Sequence, residues 1–129
     1  MSELNERIKG IIEGEPVVAF VKGTHERVMC GNSQRAMDAL RSVGASFAAV
    51  DVLPDPRIRQ ELSALTSWPT IPQVFVGGEL IGGADITEEM AATGELRAKL
   101  DEKLGEGWQN GGEERTIPLG EENPFRLVG

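Results

Sequence analysis

The spacing of apolar residues predicts helices alternating with short buried strands. Residues 3–13 carry apolar side chains every three or four positions, from Leu4 to Ile12, which is typical of an amphipathic helix. Residues 17–21 are apolar throughout, which indicates a strand covered on both faces. The chain therefore begins with a helix followed by a central strand.

A second helix and strand follow a loop at residues 22–29. Apolar residues from Ala36 to Val43 repeat at helical spacing and stop at Gly44. Residues 47–52 form the next apolar run, and the helix between the two strands is long enough for a parallel, right-handed crossover. This part of the chain is predicted to be a β-α-β unit.

Three further helices are predicted. Asp55 followed by Pro56 is a good helix start, because aspartate caps the free N–H groups and proline suits the first helical position. Asp85 can cap another helix, and a last one follows Gly94.

A hairpin lies between these helices. Residues 73–76 and 79–81 are apolar and are separated by Gly77-Gly78, the spacing and chemistry of a tight turn. The predicted order is αβαβαββαα. It indicates an α/β fold with a four-stranded mixed sheet flanked by helices.

The composition of the chain changes at residue 104. Residues 105–129 hold six glycines, two prolines and five glutamates against two arginines, without apolar periodicity. We predict a domain at residues 1–104 and an acidic, glycine-rich C-terminal tail at residues 105–129, flexible or loosely docked.

Composition and charge narrow the function classes. The 129 residues, 40% hydrophobic and 26% charged, suit one soluble domain, and no signal peptide or long apolar run is evident. We therefore expect a cytoplasmic protein that does not enter a membrane. The net charge of −8 argues against a nucleic-acid surface, because phosphate attraction needs a basic patch.

Cys30 is the only cysteine, which excludes an intramolecular disulfide or a paired redox motif. It lies near the start of a predicted helix, where the helix dipole and free N–H groups favour the thiolate. Lys22, which follows the first predicted strand, would add its own positive charge to that of the helix dipole. Position alone favours equally a small, inert, buried cysteine. For His25, in the preceding loop, a solvated side chain is favoured over a catalytic base.

Two other segments suggest a peptide or carboxylate site. Ile71-Pro72, at a strand entrance, is a candidate cis bond that leaves backbone groups free to pair with an extended peptide; the alternative is an ordinary trans turn. Gly82-Gly83-Ala84-Asp85 begins a helix and can bind a carboxylate on its N–H groups or an amine through the aspartate.

Four motifs together resemble the monothiol glutaredoxins in order and spacing, over residues 3–104. They are Lys22-Gly23-Thr24, Cys30-Gly31-x-Ser33, Trp68-Pro69-Thr70-Ile71-Pro72-Gln73 and Gly82-Gly83-Ala84-Asp85. The resemblance implies a thioredoxin-like (glutaredoxin) fold and a glutathione site.

The resemblance also implies a role for each matching residue. Lys22 and Arg59 would hold a glutathione carboxylate, the backbone of Ile71 would pair with the cysteinyl part, and Ala84 with Asp85 would hold the γ-glutamyl end. Cys30 would be the functional thiolate. The implied glutathione-binding set is Lys22, Arg59, Thr70, Ile71, Pro72, Gly83, Ala84 and Asp85.

Membership of this family further implies a [2Fe–2S] cluster bridging two subunits, for which Cys30 is the metal ligand. Two irons need four outer thiolates; two chains supply two and two glutathione molecules supply the others. The implied partners are glutathione, a second copy of the chain and apo iron–sulfur client proteins.

The sequence departs from the family signature at three places. Asn32 replaces a phenylalanine, Ala84 stands where a second cysteine is frequent, and residues 25–29 replace a segment that usually contains proline. Because asparagine admits solvent beside the thiol, we expect a more labile cluster than in typical members.

Three functions remain open at this point. The first is a non-enzymatic carrier that binds and transfers a [2Fe–2S] cluster. The second is an enzyme, at most a weak glutathione-dependent thiol–disulfide oxidoreductase, in which Cys30 attacks a glutathionylated sulfur. The third is an interaction module with the fold but neither activity.

Overall fold

The computed structural model describes residues 2–110, with only the backbone of Asn110, and residues 113–119. Five helices and five strands occur in these ranges. In chain order they are α1 (Glu3–Gly14), β1 (Val17–Val21), α2 (Gly31–Ser42), β2 (Ala48–Asp51), α3 (Pro56–Thr66), β3 (Gln73–Val76), β4 (Glu79–Gly82), α4 (Ala84–Thr93), α5 (Glu95–Leu104) and β5 (Arg115–Thr116), with a short 3-10 turn at Trp108–Asn110 before β5.

The strands form one mixed sheet in the order β4-β3-β1-β2-β5. The β1 strand pairs in parallel with β2 and antiparallel with β3, and β3 pairs antiparallel with β4. The predicted β-α-β unit, hairpin and central position of β1 are confirmed. All five residues of β1 are buried, as expected for a strand with neighbours on both sides and helices on both faces.

The sheet has five strands, so the predicted four was wrong. The fifth strand, β5, pairs in parallel with β2 and lies within the predicted tail. The N–H of Arg115 donates to the carbonyl of Phe47 at 3.2 Å, and that of Ile117 donates to Ala49 at 2.8 Å. These bonds satisfy an edge of β2 that would otherwise be open. A two-residue strand has no apolar alternation by which the sequence could reveal it.

Each face of the sheet has its own core. On one face, alternate strand residues pack against α2, α4 and α5. The fully buried residues of this layer include Leu40 of α2 and Leu96 of α5. On the other, Phe20 and Phe75 meet edge to face at 5.7 Å beneath α1 and α3. The period-2 alternation of strand side chains divides the apolar residues between the two layers.

The strand register brings the predicted functional segments together at one end of the strands. Phe20, near the end of β1, pairs with Gln73 at the start of β3. Gly82, at the end of β4, pairs with Val74. Three segments therefore meet at this end of the strands: the loop after β1, the segment before β3 and the start of α4.

The predicted tail is described at residues 105–110 and 113–119. Trp108 donates from Nε1 to the Asp101 carboxylate at 2.6 Å, and Leu119 is only 6% exposed against the core on the α1 and α3 face. The rest of the tail lies outside the described residues, and the boundary at residue 104 stays a prediction. Among residues 2–110 and 113–119, no helix combines the length and apolar content needed to cross a bilayer.

The burial of Leu119 predicts that the segment after β5 contributes to stability. Leu119→Ala should lower the free energy of unfolding by about 2 kcal/mol, the lower range for a buried leucine. Urea denaturation measures this loss. Leu53→Ala is the matched control, because Leu53 is 50% exposed and its truncation should cost about 0.5 kcal/mol or less. Equal losses in the two variants would show that Leu119 does not pack as described.

Candidate functional site

Cys30 is the N-cap residue of α2 and is partly exposed. Its carbonyl accepts the first hydrogen bond of the helix, from the N–H of Gln34 at 3.0 Å. The thiol therefore stands where the unpaired N–H groups of the first turn and the positive end of the helix dipole meet. This is the position predicted from the sequence, and the partial exposure of Cys30 does not fit the alternative of a fully buried cysteine.

The pKa of the Cys30 thiol lies below its ordinary value. The main cause is the backbone N–H of Ser33, and the N–H of Asn32, the Ser33 hydroxyl and the positive charge of Lys22 act in the same direction, while partial burial opposes them. The sulfur makes no capping hydrogen bond of full geometry. The surrounding donors nevertheless favour the thiolate, which is the nucleophilic and metal-binding form.

The end of β1 is tied to the first turn of α2. The N–H of Lys22 donates to the hydroxyl of the fully buried Ser33 at 3.1 Å, and the carbonyl of Lys22 accepts from Met29 at 2.7 Å. The N–H of Gly23 donates to the Asp51 carboxylate at 2.9 Å. These bonds hold the loop at residues 22–29 against the sheet and place Lys22 near the thiol.

Gly23 is required by the close approach of the two arms of this loop. Its φ is +116°, and a Cβ there would lie 2.4 Å from the carbonyl oxygen of Arg27 and 2.9 Å from the nitrogen of Met29. Both contacts are with backbone atoms, which cannot move aside cheaply. Glycine alone suits this position.

His25 has a structural role in the same loop. Its N–H and its Nδ1 both bond the hydroxyl of Thr116 on β5, at 3.0 and 2.6 Å, and its carbonyl accepts from Arg41 at 3.0 Å. Arg41 also pairs with Glu114 at 2.8 Å. The segment around β5 therefore fastens the loop that leads to the thiol. No sequence pattern predicts this link, because its partners are 91 residues apart.

A groove of about 390 Å³ runs beside the start of α2 and ends at α4. Ile71 and Pro72 are buried along its wall, and their peptide bond is cis, as predicted. Its described lining is Asn32, Arg35, Trp68, Thr70, Ile71, Pro72, Gly83, Ala84, Asp85 and Ile86. Six of the eight predicted glutathione-binding residues are thus brought together in one groove.

The remaining two predicted binding residues, Lys22 and Arg59, do not line this groove. Lys22 is half-buried beside Cys30, and Arg59 is exposed on α3. Within residues 2–110 and 113–119, neither side chain forms an ion pair. Both are therefore cations available to an anionic ligand.

Gln73 shapes the groove wall, a role that sequence reasoning missed. Its buried side chain donates from Nε2 to the carbonyl of Trp68 at 2.9 Å and accepts from the Thr66 hydroxyl at 3.0 Å. The Thr66 hydroxyl also accepts from the N–H of Trp68 at 3.1 Å. The only available signal was a glutamine at the start of an otherwise apolar strand.

The opposite end of the groove is the N-terminus of α4, with Gly83 as its N-cap. A Cβ on Gly83 would lie 3.3 Å from the carbonyl oxygen of Pro72 and 3.6 Å from the Trp68 indole nitrogen, so the glycine keeps the groove open there. The free N–H groups of the first turn suit an anion, and the exposed carboxylate of Asp85 suits a cation.

Arg35 is a groove residue that the sequence did not reveal. Its Nη2 lies 2.7 Å from Asp85 Oδ1 and 2.5 Å from Glu88 Oε1, and its Nε lies 3.0 Å from Glu88 Oε2. Its Nη1 lies 3.0 Å from Asn32 Oδ1. The guanidinium lowers the pKa of Glu88. It therefore links α2 to α4 across the groove.

The thiol of Cys30 could supply one sulfur ligand to a metal. In the part of the chain that the structure describes, no three histidine, cysteine, aspartate or glutamate side chains are grouped as for a metal ion. The donor set fits an iron–sulfur cluster only as one of four thiolates, with the others coming from outside the chain.

The geometry defines a thioredoxin-like domain with one activated thiol beside a peptide-sized groove. The family model named Glutaredoxin matches residues 17–81. This chain is 43% identical to Glutaredoxin 4 of Escherichia coli K12 over 102 residues, which are 79% of this chain and 89% of that protein. It is also 43% identical over 99 residues to Monothiol glutaredoxin-S11 of rice (Oryza sativa subsp. japonica), matching 77% of this chain but only 20% of that protein.

A solved structure agrees with these similarities. A buckwheat glutaredoxin–glutathione complex matches 77% of this chain and 88% of its own, with 26% identity and a TM-score of 0.68. The chain belongs to the monothiol glutaredoxin family and has its thioredoxin-like fold.

The close contacts of Gly23 predict that this position tolerates no side chain. Gly23→Ala should lower the free energy of unfolding by about 2 kcal/mol, because the methyl group meets backbone atoms and the left-handed φ is unfavourable for alanine. Urea denaturation measures the loss. Gly10→Ala is the control: it lies in α1 with open space around it, and should be neutral or stabilising by about 0.5 kcal/mol. A Gly23→Ala variant of unchanged stability would contradict the described loop.

The environment of Cys30 predicts a pH dependence. The rate of alkylation by iodoacetamide should rise with pH along a curve whose midpoint lies below the ordinary pKa of cysteine. Because the folded state favours the thiolate, this group stabilises the fold above its unfolded pKa, and the contribution is lost as pH falls through the folded pKa.

A matched variant tests the cause of this shift. Lys22→Gln should move the alkylation midpoint upward, because it removes a positive charge near the sulfur. Lys9→Gln, on α1, makes the same change of charge in another element and should leave the midpoint unchanged. A wild-type midpoint at or above the ordinary cysteine value would contradict the assignment of an activated thiol.

Proposed function

We propose that this protein is a glutathione-dependent monothiol glutaredoxin that holds a [2Fe–2S] cluster between two copies and transfers it to apo iron–sulfur proteins. The observation that carries the proposal is the single thiol of Cys30 with its lowered pKa, two residues before Asn32, which lines a groove suited to a small thiol peptide. The cluster is cargo, and the protein acts as its carrier.

The groove supports glutathione as the second source of thiolate. Its volume of about 390 Å³ falls within the usual range for small-ligand sites. The free N–H groups of α4 suit the γ-glutamyl carboxylate and Asp85 suits its ammonium, while the backbone of Ile71 would pair with the cysteinyl residue. Lys22 and Arg59 are the cations assigned to the glycine carboxylate.

The ligand count supports a dimeric carrier. A [2Fe–2S] cluster needs four outer thiolates, and each chain has one cysteine. Two copies of Cys30 and two glutathione thiolates complete the set without any further side chain. The bridged dimer, the apo-protein clients and the cytoplasmic location stay predictions.

A second candidate function is monothiol exchange on glutathione mixed disulfides. It is favoured by the partly exposed Cys30 and by the exposed, polar Asn32 beside it. The Cys30 thiolate would attack the glutathione sulfur and release the substrate as a thiolate. A second glutathione thiolate would then attack the Cys30–glutathione disulfide, giving glutathione disulfide and regenerating Cys30.

Reconstitution distinguishes the two candidates. The protein is incubated anaerobically with iron, sulfide and reduced glutathione, and its visible absorption and mass in solution are recorded. We expect a coloured dimer that requires both glutathione and Cys30, because neither source alone supplies four thiolates. Cys30→Ser and a sample without glutathione are the controls.

A colourless monomer that binds glutathione would contradict the function of cluster carrier. Reduction of a glutathione mixed disulfide, coupled to glutathione reductase, would then establish thiol exchange as the function. A protein that binds no glutathione would contradict both candidates.

A further inference from the structure

Arg35 lies over the carboxylate that the proposed function assigns to the ligand's amino group. Its Nη2 donates to Asp85 Oδ1 at 2.7 Å from the opposite wall of the groove. Asp85 is the anionic side chain of the described groove lining, and Arg35 is its cationic one. The carboxylate is therefore already paired with a cation before any ligand enters.

Arg35 is held in place by two other partners. Glu88 accepts from both Nε and Nη2, at 3.0 and 2.5 Å, which is the two-point geometry that a guanidinium and a carboxylate favour. Asn32 accepts from Nη1 at 3.0 Å. Because these contacts come from both α2 and α4, the guanidinium has little freedom to leave Asp85 when a second cation arrives.

We propose that Arg35 is a specificity-determining residue that competes with the ligand's α-ammonium for Asp85, so that the groove discriminates only weakly against thiol peptides lacking that amine. The inference rests on the glutathione binding of the proposed function. Two cations at one carboxylate repel each other, so the ammonium gains less there than it would at an unpaired aspartate. The ligands that the groove accepts therefore include acyl-cysteinylglycine peptides whose acyl end bears only a carboxylate.

The effect on the ammonium can be separated from any effect on the ligand carboxylate. Arg35 also attracts the γ-glutamyl carboxylate, and this attraction is the same for glutathione and for glutaryl-cysteinylglycine, which has hydrogen in place of the amino group. The dissociation constant of glutaryl-cysteinylglycine divided by that of glutathione therefore reports the contribution of the ammonium alone, and a higher ratio means a stronger preference for glutathione.

The experiment measures this ratio by titration calorimetry with the S-methyl forms of both peptides, so that no disulfide can form. In Arg35→Gln the preference for the glutathione form should rise about fivefold over the wild type, the upper range for an exposed charge pair. Arg97→Gln is the matched control, because Arg97 is exposed on α5 and does not line the groove. Its ratio should equal that of the wild type.

A second arm tests whether Asp85 is the shared partner. In an Asp85→Asn background, Arg35→Gln should no longer raise the preference for the glutathione form. A preference for the glutathione form that is unchanged or lower in Arg35→Gln would overturn the inference. So would an equal rise of that preference when Arg35→Gln is made in the Asp85→Asn background. Either result would leave glutathione binding intact. If neither peptide binds the wild type and Arg97→Gln proteins, the proposed function and the inference both fail.

Discussion

The hydrogen bond from the N–H of Lys22 to the hydroxyl of Ser33 is the contact on which the site depends. It joins the first residue after β1 to the first turn of α2, and Ser33 is fully buried, so the bond is shielded from water. Because the central strand and the helix are fixed relative to one another, the N-cap position of α2 is fixed as well. Cys30 occupies that position and is thereby held among the N–H donors that favour its thiolate.

The same constraint requires the loop at residues 22–29 to turn back on itself within a small space. Gly23 meets this requirement by having no Cβ, and Met29 returns to bond the carbonyl of Lys22. The loop is then held from outside by Thr116 of β5 through His25. A short strand far along the chain thus contributes to the geometry of the thiol, although it contacts neither the groove nor the sulfur.

Local patterns predicted the elements that depend on local burial. The apolar run at residues 17–21 identified β1, and the four motifs placed Cys30 and the cis Ile71-Pro72 bond correctly. Asp85 was predicted as the cap of α4, which is wrong: Gly83 is the N-cap and Asp85 lies in the first turn, because the chain already turns into the helix at the glycine. Local patterns did not predict β5, because Arg115–Thr116 is too short and too polar to differ from a loop. Nor did they predict Arg35, since a charged residue on an exposed helix face shows no sign in the sequence of a partner 53 residues away.

Asn32 shows how one substitution can change two properties of the site together. An aromatic side chain at this position would shield the neighbouring sulfur from water, whereas Asn32 is exposed and adds hydrogen-bonding groups. Its Oδ1 accepts from Arg35, and Arg35 in turn reaches Asp85. The residue that leaves the thiol open to solvent therefore also supports the cation at the far end of the groove. Within this chain, the environment of Cys30 and the charge beside Asp85 are linked through a single side chain.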